Sequence, residues 1–324
     1  WMAEAVLLFW IGRTRQTGLY ENLSYILMIL GVFSLGEDWT MASAASSSAE
    51  TALEYPAFFN PVFLTSLLSS IALGCIVYLF YKKPRFIRWT LESQQGQPLS
   101  FAVSGVFLLV LYGSFAMEIS NYWDQIYAVQ FPADPGRPGT YEANSAYYHV
   151  QAFKQVWLMN YSLLFLSILG LVNVYKLKRP SLGQASLILN LLAWFLFMTM
   201  GLYQLSELRD YDIEGGTAGI LTESVGIRYL SLLFLVLLLA VSYKSIKKEY
   251  LNFSSPVVSD SILALTLGWV ATSELLHWLT LSGVSDTYKL WVSVLWGLYA
   301  LILVGFGLWR QKRHVRISGI GLFF

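Results

Sequence analysis

Cysteine occurs once in the 324 residues, at Cys75 inside an apolar run, so no intrachain disulfide is possible and a secreted disulfide scaffold is excluded. Histidine occurs three times, at His149, His277 and His314, and no Cys or His cluster has the spacing of a zinc site. Charge is also scarce. Asp, Glu, Lys and Arg together make up 13% of the chain, against roughly 25% in an average soluble domain. A water-soluble enzyme of this length would lack the charged surface that keeps it in solution. A disordered tail is excluded by a hydrophobic share of 56% and a mean hydropathy of +0.54. The net charge of +1 supplies no field that would gather nucleic acid, so no nucleic-acid partner is expected.

What the chain has instead is long apolar runs. About 20 apolar residues cross a hydrocarbon core of roughly 30 Å as a helix. Residues 55–81, 93–117, 155–175, 180–206 and 290–309 are long enough by themselves, the second being apolar only from Leu99. Residues 22–36 and 229–243 are shorter and use their flanks, with Arg228 and Lys244 reaching outward. Residues 258–281 form an eighth span that carries Asp260, Glu274 and His277. Partial helices are expected at 1–11 and 317–324. The expectation is an all-α polytopic membrane protein, a single domain over 1–324 built from repeated helical hairpins. The opening WMAEAVLLFW has no basic stretch before its apolar run, as a signal peptide would, and the chain closes within an apolar segment. It is therefore read as a piece of a longer membrane protein.

Basic residues collect in alternate connections: 12–18, 82–98, 176–180, 244–256 and 310–316 hold 16 of the 21 Lys and Arg. By the positive-inside rule these connections are cytoplasmic. The acidic connections 37–60, 118–150, 207–225 and 282–286 then face the periplasm or cell exterior. The 118–150 connection, with two Pro-Gly turns and three tyrosines (Tyr141, Tyr147, Tyr148), suits a folded cap packed on its own helices or, since aromatic and carboxylate groups together commonly hold sugars, a sugar-binding cap. Residues 42–50, ASAASSSAE, read as a flexible outer loop.

Three outgoing helices end alike, in MEISNYW, SELRDY and SELLHW, with an aromatic four residues after each glutamate: Glu118 with Tyr122, Glu207 with Tyr211, and Glu274 with Trp278. Glu37, Asp38 and Trp39 form a looser copy. The ends of the chain are also related. Residues 5–12, then Arg15 and Gln16, match residues 300–307, then Arg310 and Gln311, at a constant offset of 295. The stretch WVSVLWGLYALILVGFGLWRQKRHVRISGIGLF, its echo AEAVLLFWIGRTRQTGLYENLSYILMIL and the SELRDY helix end resemble the bacterial multi-pass membrane proteins grouped as domain of unknown function 2339. That resemblance is firmest over the last 40 and first 30 residues. It implies a bacterial cytoplasmic membrane and a longer, many-span architecture, and brings no activity or catalytic residue with it.

Glu274 is the sharpest site candidate. Only 13 uncharged residues separate it from Asp260, about 20 Å of helix at 1.5 Å per residue, which is less than a span needs. The helix must continue past Glu274 and draw it, with His277 one turn on, below the interface, where ionisable residues are costly and usually functional. The other carboxylates raise an electrostatic question. Glu118, Glu207 and Glu274 sit near helix C-termini while Lys154, Arg228 and Lys289 sit near the N-termini of the next helices, each opposing a macrodipole. Pairing within each hairpin, Glu118 with Lys154, Glu207 with Arg228 and Glu274 with Lys289, removes both anomalies. Alternatively, Glu118, Tyr122, Glu207, Tyr211, Glu274, His277 and Trp278 gather into an outward-facing acidic and aromatic binding pocket.

No catalytic or cofactor pattern emerges. Glu274 and His277 have the Glu-x-x-His spacing of di-iron bundles, but the corresponding positions after Glu118 and Glu207 are Asn121 and Asp210. The Gly-rich stretches GGTAG and GIGLF lack the lysine and strand of a phosphate loop. No metal and no cofactor are expected. Three functional classes follow: a transporter or permeation component for a small solute or lipid-linked glycan, a structural or assembly subunit of a bacterial envelope complex, and a membrane-embedded transferase. Prolines at span ends (Pro61, Pro180, Pro256) rather than midplanes lean toward the structural class, because transporters commonly break helices at the membrane centre. The lipid bilayer and other envelope subunits are the expected partners.

Overall fold

The computed structural model describes residues 1–47, 56–82, 96–130, 141–214, 221–248, 256–284 and 287–322. Lys83, Arg85 and Arg88, the Pro-Gly turns of 131–140, the GGTAG stretch and Asp286 lie outside the described residues. Eleven α-helices make up the described chain: α1 (Met2–Arg15), α2 (Gly18–Ser46), α3 (Pro61–Lys82), α4 (Gly96–Gln130), α5 (Tyr141–Val172), α6 (Pro180–Leu196), α7 (Leu202–Glu214), α8 (Leu221–Ile246), α9 (Pro256–Leu281), α10 (Tyr288–Trp309) and α11 (Arg313–Gly321). Wider π turns at Asn173–Leu177 and Phe197–Gly201 extend α5 and join α6 to α7. Among the described residues, eight helical stretches are long and apolar enough to cross a membrane. The protein is an all-α polytopic membrane protein.

The helices run further than the apolar stretches alone suggest. α2 continues through Glu37 and the alanine-rich segment to Ser46, α4 passes Glu118 to reach Gln130, and α5 has already begun at Tyr141. By hydropathy alone these residues fall in outer loops. Hydropathy reports the thickness of the lipid, whereas a helix ends where a breaker stands. None stands between Glu118 and Gln130, and alanine is the strongest helix former in the 42–46 segment.

The chain divides into two compact units, Trp1–Lys154 and Gln155–Phe324. In the first, α1 to α4 pack around Met2, Phe9, Met28, Leu35, Leu73, Ile76 and Val110. Lipid supplies no hydrophobic drive between helices, so close approach and polar contacts carry the packing. Trp39 shows both. Its indole lies against Gly113 of α4, where an added Cβ would meet a ring carbon at 2.6 Å, and its Nε1 donates to Ser66 Oγ of α3 at 2.8 Å. At the other end of α2, Glu21 pairs with Arg13 at 3.2 Å and accepts the Tyr25 hydroxyl at 2.9 Å. The Arg13 guanidinium lies over the rings of Phe9 and Phe80, which screens the pair from lipid.

The α1–α2 and α10–α11 turns are built alike, at the offset the sequence suggested. Gln16 and Gln311 are both left-handed (φ 58° and 55°) and the amides of Thr17 and Lys312 donate to the carbonyls of Gly12 and Gly307 at 3.1 and 2.9 Å. Glycine is required at both positions, because a Cβ would come within 2.8 Å of the Glu21 nitrogen or 2.9 Å of the Arg316 nitrogen. Ala5 and Ala300, seven residues before these glycines, are both fully buried.

In the second unit, side chains tie the helices pairwise. Asn190 of α6 donates to Ser242 of α8, Trp194 of α6 to Thr266 of α9, and Trp296 of α10 to Thr272 of α9. Asp260, near the start of α9, holds Lys312 and His314 at the start of α11. The interior also buries Asn160, Ser167, Ser186, Ser231 and Asn190, the small and polar residue types through which membrane helices pack.

Candidate functional site

Glu274 is held by Arg228 rather than by Lys289. The Arg228 Nε donates to Glu274 Oε1 at 2.6 Å, and its Nη2 donates to the carbonyl and hydroxyl oxygens of Ser273 at 3.0 and 2.7 Å. Tyr229 donates to the second carboxylate oxygen at 3.3 Å. Arg228 and Glu274 each lie about two turns inside α8 and α9, beyond the terminal turn in which a macrodipole acts, so the dipole conflict expected from the sequence does not arise for this pair. The pair crosses between hairpins. The guanidinium fork makes three bonds at once, two of them to a neighbour of the carboxylate, which a lysine cannot match. Lys289 is exposed, with its ammonium 5.9 Å from the Tyr288 ring centre.

His277 lies one turn beyond Glu274, 1% exposed, and neither ring nitrogen has a hydrogen-bond partner. It sits in the field of Arg228, Glu274, Arg209 and Asp210. Arg209 is brought there by α7, which packs on α8 and α9. Its Nε and Nη2 donate to Asp210, while its buried Nη1 and that of Arg228 have no partner. Buried polar groups without partners cost about 1–3 kcal/mol each, and more when charged. Trp278 is 55% exposed and meets His277 edge-on at 5.7 Å, the placement of a belt aromatic.

Glu118 lies in the first unit and performs a different task. It is 2% exposed and accepts the Phe58 amide at 2.8 Å and the Asn60 side-chain amide at 3.0 and 3.1 Å. Asn60 in turn accepts the Phe63 amide at 2.7 Å and so caps α3. Phe58 is left-handed, φ 64°, and the carboxylate holds that conformation. The expected partner of Glu118, Lys154, is taken by Asp124, with its ammonium 2.8 Å from both carboxylate oxygens. Asp124 lies in the continuation of α4 that the sequence reading treated as loop, which is why it was missed. Tyr122 is exposed, edge-on to Trp123. Glu207 is half-buried and bonded to Tyr203 one turn earlier, and Tyr211 is also half-buried.

The structure therefore groups Glu274 and His277 with Arg228, and gives Glu118 and Glu207 separate local partners. Arg209, Ser273, Tyr229, Asn60 and Asp124 escaped the sequence reading. Only Asn60 carried a signal, as a capping residue type directly before Pro61. Among the described residues, no group of three or more His, Cys, Asp or Glu side chains could hold a metal ion. No family model, no curated protein and no solved structure matches the chain.

Proposed function

We propose that this membrane protein is a transporter or permeation component for a small solute or lipid-linked glycan. The single observation that carries the reading is His277, fully buried within a span, without a hydrogen-bond partner and beside the Arg228–Glu274 pair. Ionisable groups at such positions are expensive and are kept chiefly along solute, ion or proton routes. The reading places the protein in a bacterial cytoplasmic membrane, as a relative of the domain of unknown function 2339 proteins and part of a longer chain. Basic connections face the cytoplasm and the acidic helix ends face outward, in an array of hairpins.

The test is flux in liposomes carrying an internal pH dye. Wild-type protein is expected to dissipate an imposed proton gradient, and His277→Gln to lose that flux at unchanged melting temperature. Wild-type liposomes that stay tight, or a His277→Gln variant with full flux, would refute the reading. A structural or assembly role is the second reading. It is favoured by the bonds that engage Glu118 and Glu274 in holding α3 to α4 and α8 to α9. It expects tight liposomes and co-purifying envelope subunits.

A further inference from the structure

The first unit contains a cavity of about 670 Å³, between the last turns of α2, the end of α4 and the portion of α5 before Lys154. That volume falls within the range of small-molecule sites, about 300–1,000 Å³. Its lining is mostly polar and comes from three helices: Ser43 of α2, Asp124 and Tyr127 of α4, and Tyr147, Gln151 and Lys154 of α5. From the sequence, Tyr147 belongs to the tyrosine-rich connection in which aromatic and carboxylate groups suit a sugar, and Lys154 is expected only as a partner for Glu118.

The chemistry of the lining narrows the ligand. Both Asp124 oxygens lie 2.8 Å from the Lys154 ammonium, so the two charges neutralise each other. A carboxylate, phosphate or amine would gain a full ionic contact only by breaking that pair. A hydroxyl group need not. The ammonium keeps a third proton to donate, and each carboxylate oxygen keeps a lone pair to accept, so neighbouring hydroxyls can donate to Asp124 and accept from Lys154. The Thr40 and Ser47 hydroxyls on the wall bond their own helix carbonyls, leaving those of Glu37 and Ala44 as acceptors already engaged. Ser43 and Gln151 add a hydroxyl and a carboxamide, the latter offering donor and acceptor together. Tyr127 and Tyr147 meet edge to face, with centroids 5.2 Å apart at 71°, so their ring planes present two differently oriented apolar surfaces.

We infer that this cavity is a binding site for a neutral polyhydroxyl compound, a sugar or N-acetylated sugar residue whose hydroxyls engage the Asp124–Lys154 pair and Gln151 while its C–H face rests on a tyrosine ring. The site shares no residue with the Glu274–His277 cluster of the second unit and is independent of the transport reading. A binding measurement decides it whether or not liposomes show flux.

The experiment uses the full chain in phospholipid nanodiscs free of sugar detergents, with radiolabelled glucose, N-acetylglucosamine, alanine and acetate as probes in a scintillation proximity assay. Saturable binding of glucose or N-acetylglucosamine is expected, with no saturable binding of alanine or acetate. Ser43→Leu, which projects a branched side chain into the cavity, is expected to weaken sugar binding at least tenfold, and Gln151→Leu to do the same from the opposite wall. Two variants guard against one failing to fold, and melting curves establish which are folded. The inference is overturned if neither sugar binds at 10-millimolar order, if alanine or acetate binds as well as the sugars, or if a folded cavity variant binds sugar as the wild type does.

Discussion

Replacing Arg228 by Met tests the assignment of Glu274 most sharply. The change keeps an unbranched apolar stem in a fully buried position and removes the bond to Glu274 at 2.6 Å and the two bonds to Ser273 at 3.0 and 2.7 Å. Glu274 is left as a carboxylate with 23% side-chain exposure and only Tyr229 to bond it. Breaking a buried pair by removing one partner costs about 3–5 kcal/mol, and partial exposure of the acid puts the expected loss at the lower end, about 3 kcal/mol. Glu274→Leu should cost a similar amount, because it strands Arg228. The double variant should cost far less than the sum, giving a coupling energy of about 2–3 kcal/mol. Unfolding in mixed micelles, followed by tryptophan fluorescence, measures each corner of the cycle. The same cycle with Lys289→Met in place of Arg228→Met should be additive within about 0.5 kcal/mol, since no contact joins Lys289 to Glu274. Additive Arg228 and Glu274 effects, or strong coupling to Lys289, would refute the reasoning.

Glu118→Ala should destabilise the first unit by about 2–3 kcal/mol, because it leaves the Phe58 amide and the Asn60 side chain without their acceptor; proteolysis near residue 58 in detergent would report the loosened turn. Gly113→Leu drives a side chain into the Trp39 indole and should cost about 2–3 kcal/mol by overpacking, with a shift in tryptophan emission as the indole moves off Ser66. Gly12→Val and Gly307→Val should each disrupt a helix turn and lower the melting temperature, whereas Gly36→Ala, with open space around it, should be neutral. Single cysteines replacing Lys178, Lys247 and Lys312 in a Cys75→Ser background should resist an impermeant thiol reagent in intact cells while one replacing Ser47 reacts; labelling at 247 would invert the orientation.

The eight spans were readable because hydropathy is a local property that lipid tests one segment at a time. The turn at Gly12 and its counterpart at Gly307 were readable for a similar reason, since a close helix crossing demands glycine at one fixed distance before the polar turn. Partner choice was not. Lys154 chose Asp124 over Glu118, and Glu274 chose Arg228 over Lys289, because α4 runs three turns further than its apolar stretch and because α7 packs on both α8 and α9 and brings Arg228 within reach of Glu274. Neither fact is written in a window of 20 residues. The unpartnered state of His277 and the cavity beside Gln151 depend in the same way on side chains from three helices. Glu274 itself stood out early because two charges in one span left too little apolar length, a conflict visible without any partner.

The π turn at Phe197–Gly201 has a consequence for how this chain can vary. A π turn holds one residue more than the α-helical turn it replaces, so every side chain of α7 is rotated by about 100° from where an unbroken α6 would have put it. Arg209 and Asp212 face the interior in that rotated frame. Deleting a single residue between 197 and 201 would give a more regular helix and would swing both charges toward the acyl chains. The length of this stretch is therefore constrained apart from the packing of its buried Phe197, Met198 and Gly201, and among homologues the segment should carry no gaps.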